Sequence, residues 1–361
     1  MPSANLARTP WWSWAWPVLA LVVLAVHAIF RPGFPFAAAE AFVLFATVFA
    51  AVYHAEVVAH RVGEPFGTLV LALVVTIIEV ALIVSMMITG GTDTAGLARD
   101  TVFAAVMIVC NGIIGLCLLA GAVRHREQGF QFQGAQAALS VLIALTMLTL
   151  IFPNFTSTSA GPTFSSSQLV FAAIVSLILY GSFLFVQTVR HRDFFLPAEG
   201  GEEAHALPPT NRIALFSAGM LLVSLVAVVA LAKALTPTLE RGIAAAGAPR
   251  TVVGIVIAGL VLLPEGLASY RAATANRLQT SMNLALGSVL ATIGLTIPAV
   301  ASVAMLLGKP LTLGLDPKEE LLLAVTLIVS LLTIATGRTT VLQGIVHLVL
   351  FAVFLFFAAV P

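Results

Sequence analysis

Charge is what this chain lacks. Only 9% of its 361 residues are Asp, Glu, Lys or Arg, and the mean hydropathy is +1.07. A soluble domain carries roughly a quarter charged residues, so that class is excluded. The 17 basic residues almost balance the 16 acidic ones, which leaves no basic surface for a nucleic acid. Cysteine is as scarce: Cys110 and Cys117 are the only two. On one helix they stand about 10 Å apart along the axis, too far for an internal disulfide. The sequence has no HExxH, no paired-aspartate prenyltransferase motif and no credible Ser/His pair, and its charges are too few to hold a phosphorylated substrate. A membrane-embedded enzyme is therefore a weak alternative. Short alternating segments are also missing, which argues against a β-barrel.

What the chain has is long apolar runs. They predict an all-α integral membrane protein with eleven transmembrane helices. The first lies in residues 1–30, with Trp11, Trp12, Trp14 and Trp16 at the interface. No convincing small-residue cleavage site follows it, so it reads as a helix and not as a signal peptide. The others are expected at about Ala37–Ala59, Pro65–Thr89, Thr101–Val123, Ala135–Phe155, Leu169–Val189, Ile213–Leu235, Thr251–Tyr270, Leu278–Leu307, Leu321–Thr336 and Val341–Val360. Residues 190–212, rich in Gly, Pro and charge, read as a linker. Its acidic part, Glu199, Glu202 and Glu203, reads as a solvated connector sooner than as a cation sensor.

The organising stretch is Gly63–Met87, in which Glu79 is the only charge after the opening turn. A lone carboxylate in the middle of a membrane helix marks a functional site. The device recurs. Glu56, six residues, Gly63, one residue, Pro65, thirteen residues and Glu79 are matched by Glu240, six residues, Gly247, one residue, Pro249, fifteen residues and Glu265. This divides the chain into an extra N-terminal helix (1–30), a first five-helix repeat (37–189), the linker and a second five-helix repeat (213–361). Five helices is an odd number, so the second copy is expected to enter the membrane inverted, the common plan of secondary transporters. With the N-terminus inside, the inner segments hold ten Lys/Arg and the outer ones seven. That bias predicts a cytoplasmic N-terminus and an outside C-terminus, with Glu56 and Glu240 at opposite mouths where ions would come in.

Burial disfavours the charged form of a carboxyl group, and two such groups close together titrate as a pair. Such a pair takes up protons or a cation but holds both poorly at once, which is the basis of exchange. A hard cation such as calcium needs about six to eight oxygen ligands, so neighbours must help. Thr76 lies one turn before Glu79; its alternative is a hydroxyl bonded back to its own helix. Pro264 frees the carbonyl of Leu260, either for a cation or merely as a kink. Asn283 and Ser288 belong to polar and small stripes on the ninth helix, which serve either a site or close packing. Asn111, in CNGIIGL, is a comparable candidate because that piece mirrors ATIGLTIP in the second copy. His54 with Glu56 and His60 makes a poor metal face and reads as a juxtamembrane cluster. Lys233 is expected to snorkel from a helix end, and His347 to be a hydrogen-bonded packing residue.

GEPFGTL with VVTIIEV, RHREQGFQ after the fourth helix, and LLPEGLASYRAATANRLQTSMNLALGSVLATIGLTIP resemble the bacterial ChaA-type calcium/proton antiporters. These belong to the cation/proton exchanger branch of the calcium/cation antiporter superfamily. The resemblance covers nearly all the chain after the first helix. It implies that Glu79 and Glu265 carry the ion and the protons and that Glu56 and Glu240 guide ions in. The usual deep motif, Gly-Asn-Ala-x-Glu, is replaced here by Val-Thr-Ile-Ile-Glu79 and Val-Leu-Leu-Pro-Glu265. Two amide oxygens are thereby missing. The expectation is an antiporter exporting Ca2+, with Na+ or K+ next, against inward proton flow. A mainly monovalent antiporter and a cation channel are the alternatives. No cofactor, nucleic acid or soluble protein partner is expected, only the lipid bilayer, the cations and protons. The expected location is the bacterial inner membrane.

Overall fold

The computed structural model describes residues 9–30, 34–63, 66–89, 94–196, 208–245, 247, 249 and 251–360. Eleven helices run through them: α1 Trp11–Phe30, α2 Phe34–Val62, α3 Phe66–Thr89, α4 Leu97–His125, α5 Phe132–Phe155, α6 Ser166–Arg190, α7 Asn211–Ala245, α8 Thr251–Thr274, α9 Leu278–Leu307, α10 Pro317–Ala335 and α11 Val341–Ala359. Ten contain a window long and apolar enough to cross a membrane. The eleventh, α10, opens with Lys318, Glu319 and Glu320 before its apolar run begins. The linker's acidic residues Glu199, Glu202 and Glu203 lie outside the described residues.

The chain forms two compact units, Met1–Thr89 with Glu202–Arg250, and Gly90–Gly201 with Thr251–Pro361. In the first unit the two longest helices, α2 and α7, pack on each other, and α1 and α3 each lie against both. The α2 seam uses small side chains: Ala50, Ala51 and Ala55 are fully buried, opposed by an α7 core of Ala227, Val228 and Leu231. Small residues let membrane helices approach closely, because lipid supplies no hydrophobic drive to bring them together. The first helix is tied in by polar groups as well. His54, fully buried on α2, donates from Nε2 to the Ser13 carbonyl at 3.0 Å. His27 on α1 is hydrogen-bonded to the buried carboxylate of Glu40 on α2. The juxtamembrane reading of His54 is therefore corrected: it is an interior hydrogen-bond donor.

The glycines of the repeated motif have one backbone conformation in common. Gly63 and Gly247 both adopt a left-handed backbone, φ +78° and +66°, which L side chains rarely accept. Gly63 N–H caps α2 through Ala59 O at 2.9 Å, the ordinary way a helix is stopped by glycine. Helix α7 overruns its expected end at Leu235 by continuing through Pro237 to Ala245. Lys233 is thus an exposed mid-helix residue and not a terminal one. A proline is tolerated there because membrane helices can re-satisfy the freed backbone group.

In the second unit α4 packs against α8 and α11, and α9 lies against α8 and α5. Close approach again rests on glycine. A Cβ on Gly254 of α8 would stand 2.9 Å from the Asp100 carbonyl carbon of α4. The N-terminus of α10 is set by a capping box, Asp316 with Glu319, and a proline in the first turn. A two-residue antiparallel pair, β1 Gln128–Gly129 with β2 Arg338–Thr339, joins the turn after α4 to the start of α11. Both α4 and α9 are interrupted by π turns, Ile108–Ile113 and Thr292–Thr296. These occupy the CNGIIGL and ATIGLTIP pieces that mirror each other in sequence.

Candidate cation-binding sites

The first unit contributes Glu79. It sits near the middle of α3 and is 1% exposed. It is the only charged residue over Leu69–Ile88, a span of mean hydropathy 2.8, so nothing about local chain propensity calls for a carboxylate. Thr76 lies three residues earlier and so shares its face. The Thr76 side chain is 5% exposed, and its hydroxyl has no hydrogen-bond partner among the described residues. The back-bonded alternative for Thr76 is thereby removed. A buried hydroxyl without a partner forfeits about 1–3 kcal/mol. Such a group beside a buried carboxylate is an oxygen available to a ligand. Glu56 is exposed on α2. Glu240 lies in the last turns of α7, and its side chain is outside the described residues.

The second unit contributes Glu265, half-buried on α8 directly after the buried Pro264. Helix α8 runs unbroken from Thr251 to Thr274 through that proline. Sequence reasoning missed one neighbour. Ser269, four residues after Glu265 and therefore on its face, is fully buried with a hydroxyl lacking any partner among the described residues. The signal was present in PEGLAS, a hydroxyl at i+4 from the carboxylate. Ser288 on α9 is also half-buried with an unpartnered Oγ.

The two asparagines are differently placed. Asn111, in the π turn of α4, is fully buried. Its Nδ2 donates to Thr326 Oγ1 of α10 at 2.8 Å, and its Oδ1 bonds His347 Nδ1 of α11 at 3.1 Å. Asn283 on α9 donates to the Phe195 carbonyl at 2.6 Å and accepts from Gln279 Nε2 at 3.0 Å. That bond anchors the short 3-10 turn Arg192–Phe195 that opens the linker. Both amides are thus committed within the second unit. His347 behaves as the sequence suggested, bonded on both ring nitrogens.

Buried charge beyond the two deep glutamates was also missed. Glu40 is 2% exposed and paired with His27. Both residues flank the short α1–α2 connection, which was the available clue. In the second unit Arg99 Nε bonds Asp100 Oδ1 at 2.8 Å, and Arg99 also donates to the Gly314 carbonyl at 3.1 Å. Asn154 donates to the Leu315 carbonyl and to Glu320 Oε1, both at 2.6 Å. These bonds hold the extended segment before α10 against the ends of α4 and α5. No group of three or more His, Cys, Asp or Glu suited to a metal occurs among the described residues, so any cation must take hydroxyl, carbonyl or water oxygens as well.

The family described as Sodium/calcium exchanger protein matches residues 34–189 and 216–360. The protein y4hA of Sinorhizobium fredii is 49% identical over 358 residues, spanning 98% of each chain. The sodium-potassium/proton antiporter ChaA of Escherichia coli is 36% identical over 346 residues, 94% of this chain and 93% of that one. Among solved structures, the H+/Ca2+ exchanger CAX superposes with a TM-score of 0.69 at 18% identity, covering 95% of this chain and 87% of its own; it speaks for the fold alone. An all-α membrane architecture matched in both halves and along nearly its whole length leads to one conclusion: the chain belongs to the sodium/calcium exchanger protein family, as an integral-membrane cation transporter and not an enzyme.

Proposed function

We propose that the protein is a secondary active antiporter that exports Ca2+, and also Na+ or K+, in exchange for protons, with Glu79 and Glu265 as the carrier carboxylates. The observation that carries this reading is Glu79, almost wholly buried in an apolar membrane helix beside the unpartnered hydroxyl of Thr76. A buried carboxylate that must shed its charge or bind one alternates naturally between a proton and a cation. Pro264 and Ser269 supply oxygens near Glu265 through a freed carbonyl and a hydroxyl, and Ser288 offers another on α9, which packs on the same helix; Glu56 and Glu240 collect cations at the mouths. Two matches of one family, one in each half, support two inverted repeats, the plan on which alternating access is built. The Lys/Arg bias supports an N-terminus in the cytoplasm and a C-terminus outside, in the inner membrane.

A second reading, mainly monovalent exchange, is favoured by the amides. The two motif asparagines are absent, and Asn111 and Asn283 are engaged elsewhere. That leaves a shell short of the six to eight oxygens calcium prefers. The relative ChaA carries sodium and potassium in its name. The test is cation-driven collapse of a pH gradient in sealed proteoliposomes, with calcium, sodium and potassium added separately. Glu79→Gln and Glu265→Gln are each expected to abolish the response while leaving a folded protein. Normal exchange by either variant overturns its assignment, and the order of the three ions in the wild type decides between the readings.

A further inference from the structure

The hydrogen bonds around His347 form a directional chain. Asn111 Nδ2 donates to Thr326 Oγ1 at 2.8 Å, so Asn111 Oδ1 is the atom that faces His347, and Nδ1 must carry the proton that it receives at 3.1 Å. Nε2 of the neutral ring is then an acceptor, filled by the Thr333 hydroxyl at 3.0 Å. Thr326 passes its own hydrogen to Met107 Sδ at 3.5 Å. Thr326, Asn111, His347 and Thr333 are all buried. A fully satisfied buried network specifies one arrangement of the elements that make it.

Those elements are α4, α10 and α11, and what they fix is the π turn Ile108–Ile113. The same turn presents Ile113 to α8: a Cβ on Gly266 would meet Ile113 Cδ1 at 3.1 Å. Gly266 is the residue next to Glu265. We propose that His347 is a positioning residue for cation exchange, holding the Asn111 π turn so that its Ile113 face sets the backbone that carries Glu265. The inference rests on reading Glu265 as a cation carrier.

Two isosteres separate positioning from mere stability. Asparagine places its Nδ2 where histidine has Nδ1, so His347→Asn keeps the bond to Asn111 and loses Thr333. Glutamine reaches the Nε2 position, so His347→Gln keeps Thr333 and releases Asn111. A cavity of about 10 Å3 beside the ring, bordered by Ser330, Thr333 and Met282, is the size of one water. The Ser330 hydroxyl there lacks a protein partner among the described residues, so a water can fill the space that a smaller side chain leaves. Each variant gives up one hydrogen bond, and the thermal midpoints of the purified proteins should fall together.

Exchange by the full-length protein in proteoliposomes should not change in parallel. The cation KM of His347→Asn is expected within about twofold of wild type. That of His347→Gln should rise about tenfold, the lower end of what outer-shell partners of metal ligands control. Thr326→Val, which releases the other end of Asn111, should raise KM as His347→Gln does, and Thr326→Ser should restore it. Equal KM values for His347→Asn and His347→Gln, or an unchanged KM in Thr326→Val, overturn the proposal. Glu265→Gln in the same assay separates the two levels. If it exchanges normally, the carrier reading falls; if it is inactive and His347→Gln is normal, only the positioning role falls.

Discussion

Replacing Gly344 by alanine tests how closely α11 is docked on α4. A Cβ there would stand 2.5 Å from Leu119 N, 2.8 Å from Leu119 Cα and 2.9 Å from Leu119 Cβ. Ordinary contacts of this kind lie near 3.5–4.0 Å. None of the three atoms can swing aside, so the helix itself must shift. The rest of the seam is as closely approached: a Cβ on Gly115 would stand 2.9 Å from His347 Cβ, and one on Gly112 would stand 3.2 Å from the Phe351 ring. Overpacking of this sort costs about 1–3 kcal/mol. A shift large enough to relieve it also strains the His347 bonds to Asn111 and Thr333, each contributing about 1 kcal/mol. Against this stands a gain of about 0.5–1 kcal/mol for alanine over glycine inside a helix. With both bonds lost, the balance is a loss of about 2–4.5 kcal/mol. Gly181→Ala on α6 is the control, because nothing lies within 4 Å of its Cβ position; it should be neutral or stabilising. Thermal unfolding of the purified proteins in one detergent, followed by intrinsic fluorescence, reads both. A Gly344→Ala protein as stable as the Gly181→Ala protein would refute the close-docking argument.

Thr76→Val should leave the protein as stable as the wild type or more so, because it removes a buried hydroxyl that lacks a protein partner. Its cation KM should nevertheless rise severalfold, while Thr76→Ser stays near wild type; a Val variant with unaltered KM removes Thr76 from the proposed site. Asn154→Ala breaks the bonds to Leu315 O and Glu320, of which the one to a charged group contributes about 1.5–3 kcal/mol. Hydrogen exchange should quicken at residues 309–316, and unchanged protection there would show that the segment is held by other contacts.

What could be read in the sequence follows from which forces act locally. Apolar runs are set by the bilayer, so eleven helices and the depth of Glu79 were legible. The equal spacing of Glu56–Gly63 and Glu240–Gly247 was legible as a repeat, but the left-handed backbone that both glycines share was not read from it. Helix α7 runs past its expected end at Leu235 through Pro237, because the membrane relaxes the rule by which proline stops a helix in water. The roles of Asn111 and Asn283 were not legible. Each depends on a partner far along the chain, Thr326 with His347 in one case and Phe195 in the other, and spacing along one helix carries no information about such partners. His54 was misjudged for the same reason, its partner Ser13 lying 41 residues away. Glu40, Arg99 and Asp100 sit near helix ends, where charge looks solvated until the neighbouring segment closes over it.

The π turn in α4 also changes how that helix must be drawn. One residue of an α-helix corresponds to about 100° of rotation, and a π turn inserts one residue more than the α-helical repeat allows. Everything after Ile113 is therefore out of phase with everything before Ile108. A single helical wheel laid over Leu97–His125 assigns the second half to the wrong compass points. Two wheels, joined with that offset at Asn111, bring Gly112 and Gly115 round to α11, and they are the frame in which substitutions along α4 should be compared.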